Sequence, residues 1–197
     1  MKEYMQPFVT HYDFDTGALN PEGLRVVRRI SDMLDMYQDR EAALRLAEEN
    51  PVVYEVYNVV VPENEEHIQH CTTILYPGKV GNEFFMTKGH YHAVINRAEI
   101  YFGLKGRGLL VMQTQDGRFS ALEMKPGTIA YVPPCWAHRT VNTGDEPFVF
   151  FAAYPGDAGH DYHGIETEGF IRCVMAEAGG YRLTPNPRYA NRSVSED

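Results

Sequence analysis

The segment from Thr73 to Glu99 concentrates the side chains best suited to chemistry in this chain. His90 and His92 are two residues apart, so in an extended strand both imidazoles point to the same side and could bind one metal ion. Hydroxyl side chains and glycines precede them, and these groups can approach an anion closely. The segment therefore predicts a metal ion held beside an anion.

Two residues outside this histidine pair complete a set of metal ligands. Glu99 follows His92 by seven residues, an odd separation that would place it on the opposite face of one continuous strand. We therefore predict a turn at residues 95–97 that returns Glu99 on the next strand. His138 follows the rigid, bulky segment 133–137 and could point inward. Taken singly, a solvated strand glutamate and a histidine stacked in a turn remain alternatives.

Three imidazoles and one carboxylate suit Fe(II), Mn(II), Ni(II) or Zn(II) better than Mg(II) or Ca(II). We take Fe(II) as the first choice. Four protein ligands leave two positions open on a six-coordinate ion. Those positions could bind neighbouring oxygens of a sugar, or they could bind dioxygen. The residues alone do not choose between these chemistries.

The elements that position these residues change in character at Pro51. From Asn20 to about Asn50 the chain has helical features, with Asn20 and Asp39 as candidate caps and apolar residues on one face: Leu24, Val27, Ile30 and Leu34. Short runs rich in β-branched and aromatic residues follow, separated by Gly, Pro, Asn and Asp. We predict a mainly β protein, an antiparallel sandwich or barrel with short N-terminal helices. Its parts would be an extension (1–50), a barrel (51–184) and a polar tail (185–197).

Charge and composition limit the partners of this chain. It has 197 residues, with 27 acidic and 18 basic side chains and a formal net charge of −9, which opposes general attraction to nucleic acid or anionic membranes. No secretion signal or membrane span is evident from the sequence. The three cysteines, Cys71, Cys135 and Cys173, suit a reducing compartment and are interpreted as packing residues. A cytoplasmic location is expected.

The chain resembles the cupin superfamily at two motifs. The first motif joins an H-x-H to a glutamate and then a glycine, and is matched by His90, His92, Glu99 and Gly106. The second is matched by Gly127, Pro133, His138 and Asn142, with Cys135 standing where the superfamily has its middle glycine. The resemblance implies an antiparallel jelly-roll-like sandwich.

A narrower resemblance covers roughly residues 50–165. The pattern T-x3-P-G-x2-G-x-E-x3-T-x-G-H-x-H is typical of the cupin-type glucose-6-phosphate isomerases of archaea and some bacteria. It is matched at each fixed position, by Thr73, Pro77, Gly78, Gly81, Glu83, Thr87, Gly89, His90 and His92. The chain is similar to this family also in the segments E-I-Y-F-G-L-K-G-R-G and P-P-C-W-A-H-R-T-V-N.

The family resemblance implies an enzyme of glycolysis and gluconeogenesis that interconverts glucose 6-phosphate and fructose 6-phosphate. By the same resemblance the metal ligands are His90, His92, Glu99 and His138. The phosphate-binding positions are Thr73, Thr87 and Gly89, with Tyr154 and Tyr54 nearby. A homodimer is also implied.

The chemistry of such an isomerase suggests further roles. In the enediol route a base moves a proton between neighbouring carbons, and Glu99 is the first candidate. His160 could open the sugar ring or shuttle protons, and Tyr101 and Tyr162 could form hydrogen bonds with the substrate. A hydride shift stays open, as do two other functions: a cupin dioxygenase using the same ligands, and a non-catalytic cupin that binds a sugar phosphate.

Overall fold

The protein is described by a computed structural model that covers residues 5–189. Residues 190–197, most of the predicted polar tail, lie outside this range. No helix within the range is long and apolar enough to cross a membrane. The strands in chain order are β1 (His11–Tyr12), β2 (Leu19–Asn20), β3 (Leu24–Arg29), β4 (Val52–Asn58), β5 (Ile68–Leu75), β6 (Lys79–Val80), β7 (Glu83–Phe84), β8 (Glu99–Lys105), β9 (Gly108–Gln113), β10 (Phe119–Met124), β11 (Ile129–Val132), β12 (Ala137–Asn142), β13 (Phe148–Pro155), β14 (Arg172–Glu177) and β15 (Gly180–Pro185). The helices are α1 (Arg40–Leu46) and α2 (His163–Glu168), with 3-10 turns at Ile30–Asp32 and Leu34–Met36.

The strands form antiparallel sheets. The largest has six strands in the order β11-β8-β13-β5-β4-β3, and smaller sheets have the orders β10-β9-β12 and β15-β14-β7-β6. Isolated bridges join Met86 to Val141 and His90 to His138, so the segment after β7 runs beside β12. The predicted fold class, a mainly β antiparallel sandwich with few helices, is confirmed.

The core lies between the sheets. Leu75 and Phe148 are paired on β5 and β13, Leu109 and Val141 are paired on β9 and β12, and all four are essentially inaccessible to solvent. Burying such a side chain contributes about 1.5–3 kcal/mol. Thr73 is two residues before Leu75, so it points to the same side of β5. The interior therefore changes from apolar to polar along β5.

The helical prediction for the N-terminal segment is wrong at residues 24–29. These residues form β3, which pairs with β4 along its whole length and completes the six-stranded sheet. Arg25 supports this pairing because its guanidinium binds the Glu55 carboxylate at 2.8 Å. The pairing with β4 outweighs the helical spacing of the apolar residues. Helical structure does follow, and Asp39 caps α1 as predicted, accepting a hydrogen bond from the Ala42 N–H.

Candidate metal centre

The candidate ligands come from three segments that the backbone holds together. His90 and His138 are bridge partners, with the His90 N–H donating to His138 O at 3.2 Å and the return bond at 3.0 Å. After His92 the chain turns as predicted, and the Arg97 N–H donates to Val94 O at 3.1 Å. Glu99 is then the first residue of β8. The predicted turn thus brings the carboxylate back to the histidines.

The four side chains converge on one point in the interior. One ligand atom from each of His90, His92, Glu99 and His138 lies within 4.8 Å of the others. The Glu99 Oε2 atom is 3.1 Å from His92 Nε2 and 2.9 Å from His138 Nε2. Three of the residues are buried, and His90 is half-buried. Among the described residues this is the group of His, Cys, Asp and Glu side chains spaced to hold a metal ion.

Backbone carbonyls orient two of the imidazoles. His92 Nδ1 is 2.9 Å from Arg97 O, and His138 Nδ1 is 3.2 Å from Trp136 O. A carbonyl only accepts, so each Nδ1 donates, and Nε2 is the ring nitrogen that faces the centre. His90 Nε2 is buried without a hydrogen-bond partner among the described residues. Buried and convergent imidazole nitrogens are the donors that a divalent metal ion requires.

The electrostatics also favour a cation. Burial alone would raise the pKa of Glu99, but the imidazoles of His138 and His92 lower it to about 2, so the carboxylate is charged at neutral pH. Burial and the neighbouring imidazoles lower the pKa of His90 well below its ordinary value, so that ring is neutral. Neutral imidazole and ionised carboxylate are the forms that bind metal. The donor set therefore fits the implied ion.

An ion pair fixes the loop that carries the His92 acceptor. The Arg97 guanidinium binds the Asp157 carboxylate twice, through Nε at 2.9 Å and through Nη2 at 2.6 Å. Because Arg97 O accepts the bond from His92, this pair holds the carbonyl that orients the ring. Asp157 lies just after the end of β13, so the loop is anchored to the six-stranded sheet.

A cavity, which we call the site cavity, opens beside the four ligands. It places the predicted substrate-binding positions next to the candidate metal group. Its lining includes every sequence-predicted site residue except His92, which instead contacts Glu99: Tyr54, Thr73, Thr87, Gly89, His90, Glu99, Tyr101, His138, Tyr154, His160 and Tyr162. The His160 ring is 4.3 Å from that of His90 and stacks in parallel on Tyr162 at 5.9 Å. The structure thus brings these residues together, while their roles stay predictions.

Several lining residues were missed by the sequence reasoning. Lys88 lines the cavity and binds Glu166 at 3.0 Å. Thr140 also lines it, and its N–H donates to Thr87 Oγ1 at 3.0 Å. The period-two alternation from His138 could have identified Thr140. Cys71 lines the cavity too, whereas Cys135, which was interpreted as a packing residue, is exposed.

Cys135 nevertheless preserves the turn before His138. Its φ is +71°, a left-handed conformation that favours glycine, the residue that the cupin motif has at this position. The Cys135 N–H donates to Ile95 O at 2.8 Å, which ties this turn to the loop after His92. The departure from the motif therefore changes the residue and keeps the backbone shape.

The antiparallel sandwich and the convergent group of three histidines and one glutamate define a cupin-type protein with a candidate metal centre. The family model "Glucose-6-phosphate isomerase (GPI)" matches residues 27–192, and the chain belongs to that family. Its relatives include the glucose-6-phosphate isomerase of Thermococcus gammatolerans, 53% identical over 95% of this chain and 99% of that protein. The glucose-6-phosphate isomerase of Pyrococcus horikoshii is 52% identical over 95% of this chain and 100% of that protein. A solved structure concerning the mechanism of oxalate oxidase aligns with 59% of this chain and 58% of its own at a TM-score of 0.48 and 15% identity.

The backbone at position 135 predicts the effect of two substitutions. Cys135→Gly should change the free energy of unfolding by less than about 1 kcal/mol, because relief of the left-handed strain offsets the added flexibility of the unfolded chain. Cys135→Val should cost about 1–3 kcal/mol, since a β-branched residue is strained there. Urea denaturation measures both. Equal stability of the two variants would contradict the assigned backbone conformation.

Proposed function

We propose that this protein is a metal-dependent glucose-6-phosphate isomerase that interconverts glucose 6-phosphate and fructose 6-phosphate, as in glycolysis and gluconeogenesis. One observation carries the proposal: a single cavity is lined both by members of the candidate metal group and by hydroxyl, amide and ammonium donors. The names of the relatives, about half identical over nearly their whole length, agree with it.

Three threonines, Lys88 and the Gly89 amide would bind the phosphate group. Thr87 Oγ1 already accepts the Thr140 N–H, so its own proton is available to an anion or to Thr140 Oγ1, 3.3 Å away. Thr73 is buried on β5, and Lys88 is held in place by Glu166. These local donors suit a chain whose net charge is −9, because general electrostatic attraction cannot recruit the phosphate. Tyr54, Tyr154 and Tyr162 would enclose the sugar.

His90, His92, Glu99 and His138 would hold the metal ion. The three nitrogens and one carboxylate suit Fe(II), which is our first choice, and also Mn(II), Ni(II) or Zn(II). When bound, such an ion supplies Lewis-acid stabilisation of charge that develops on the substrate oxygens.

In the enediol route, Glu99 would take the proton from C2 of glucose 6-phosphate and return it to C1. The carboxylate is ionised and so can accept a proton, but His138 and His92 lower its pKa to about 2, which weakens it as a base. Burial lowers the pKa of His160, so this imidazole is neutral at pH 7 and could take the O1 proton to open the ring. Tyr101 packs against His138 at 5.9 Å and would orient the substrate oxygens.

We further propose that the protein is a cytoplasmic homodimer. Apolar side chains on neighbouring strands β8 and β11, Ile100, Ile129 and Tyr131, are largely exposed and form a patch at the edge of the large sheet. A second copy could cover both this patch and the open strand edge. The cysteines form no disulfide, which suits a reducing compartment.

Metal removal is the main test of the function. We expect a coupled assay to detect conversion of fructose 6-phosphate, a chelator to reduce kcat by at least about 100-fold, and Fe(II) to restore it. His138→Ala should lose activity to a similar extent. His70→Ala is the matched control, because His70 packs on Phe151 outside the cavity, and it should keep kcat within about twofold of wild type. Full turnover after chelation would contradict the proposal.

Isotope exchange distinguishes the two mechanisms. We expect glucose 6-phosphate labelled with deuterium at C2 to lose a substantial part of its label to water during isomerisation, because Glu99 would share its proton with solvent. Proton NMR of the fructose 6-phosphate measures the label retained at C1. Complete transfer of deuterium to C1 would exclude Glu99 as the proton carrier and establish a hydride shift.

A further inference from the structure

Arg139 is a buried arginine beside the site cavity, and its guanidinium donates to the Lys88 carbonyl and to the Met86 sulfur. It lies on β12 between His138 and Thr140, which both line the cavity. Side chains alternate along a strand, so the guanidinium lies on the other side of the wall. Its Nη2 donates to Lys88 O at 2.6 Å, and its plane packs on the Phe170 ring at 4.3 Å.

The bond to Lys88 O fixes the direction of the next N–H. The Lys88–Gly89 peptide is trans, so its C=O and N–H point in opposite directions. Because the carbonyl faces Arg139, behind the wall, the Gly89 N–H faces the cavity that Lys88 and Gly89 line. No hydrogen bond within residues 5–189 uses this N–H.

Close packing leaves little room for this peptide to turn. Gly89 has a φ of +73°, and a Cβ atom there would lie 2.8 Å from Arg139 Cβ and 2.9 Å from His138 O. Only glycine therefore fits against β12 at this point. Arg139 and Gly89 act together. Arg139 orients the Lys88–Gly89 peptide, and the absence of a side chain at Gly89 lets this peptide lie against β12.

The environment of Arg139 argues against a role as an ordinary ion pair. Its main acidic neighbour, Glu83, accepts the Gln38 N–H through Oε2 at 2.9 Å, and the Glu83 Oε1 atom has no bonding partner among the described residues. Arg139 Nε likewise has none. A guanidinium buried without a bonded carboxylate is costly. The shortest hydrogen bond of Arg139 is to the Lys88 carbonyl, so removal of its side chain should mainly affect the Lys88–Gly89 peptide.

We propose that Arg139 is a positioning residue that holds the Gly89 amide toward the phosphate group of the substrate. The inference rests on the proposed function, because it concerns a donor to the substrate phosphate in the same cavity. Arg139 itself contacts no substrate. The Arg139 bond fixes the direction of the Lys88–Gly89 peptide, so without it the Gly89 amide is less well aligned with the anion.

The test compares Arg139→Met and Arg139→Lys with wild type. We expect the Kd for inorganic phosphate, measured by calorimetry, and the KM for fructose 6-phosphate each to rise about tenfold in Arg139→Met, while kcat changes less than about threefold. Arg139→Lys keeps the charge but lacks the planar fork, so it should recover only part of the affinity. Asn142→Ala is the matched control: Asn142 is buried, donates to Leu75 O and Glu146 O, and does not line the cavity. It should lose stability with an unchanged Kd.

A spectroscopic measurement tests the direction of the amide itself. In zinc-loaded wild type, added phosphate should shift the Gly89 amide resonance, and in Arg139→Lys the shift should fall by at least about half. This comparison decides the question if Arg139→Met does not fold. Unchanged phosphate affinity in the Arg139 variants, or equal weakening in Asn142→Ala, would overturn the inference, as would a wild type that does not bind phosphate. A wild type that binds phosphate without isomerising the sugar would contradict only the proposed function.

Discussion

The structure depends on one electrostatic constraint, the convergence of three imidazoles and one carboxylate in an interior with little access to water. Such groups are costly to bury unless they are paired or bind a cation. Here the Arg97 and Trp136 carbonyls fix the ring protons of His92 and His138, and the Nε2 atoms face Glu99. The conformation of the surrounding backbone meets the requirement that these four side chains converge. The turn after His92, the left-handed Cys135 and the bridge between His90 and His138 all serve to aim the four side chains.

Strand β12 contributes both to the candidate metal group and to the proposed phosphate donors. On β12, His138 and Thr140 face the cavity, and Arg139 between them faces the packed side. One strand therefore contributes a ligand, a hydroxyl and the support for the Lys88–Gly89 peptide. Under the proposed function, a chain with a net charge of −9 would meet the anion with a few fixed donors, drawn from the backbone as well as from side chains.

The sequence was informative where chemistry restricts the residue type. The ligand set, the turn at residues 95–97 and the hydroxyl positions follow from spacing, family pattern and the needs of a metal and an anion. It was uninformative where distant segments meet. Arg139 is 51 residues from Lys88, so no local pattern predicts their bond. The strand at residues 24–29 was missed for a similar reason, because pairing with β4, and not local helical spacing, determines its conformation.

We propose that one cation is bound by His90, His92, Glu99 and His138. The most direct test is X-ray absorption spectroscopy on protein loaded with one equivalent of Fe(II), together with a metal titration. We expect one tightly bound ion per chain, with three imidazole nitrogens and one carboxylate oxygen among its ligands, and loss of one nitrogen in His138→Ala. Absence of stoichiometric binding, or a coordination sphere without imidazole nitrogens, would contradict it.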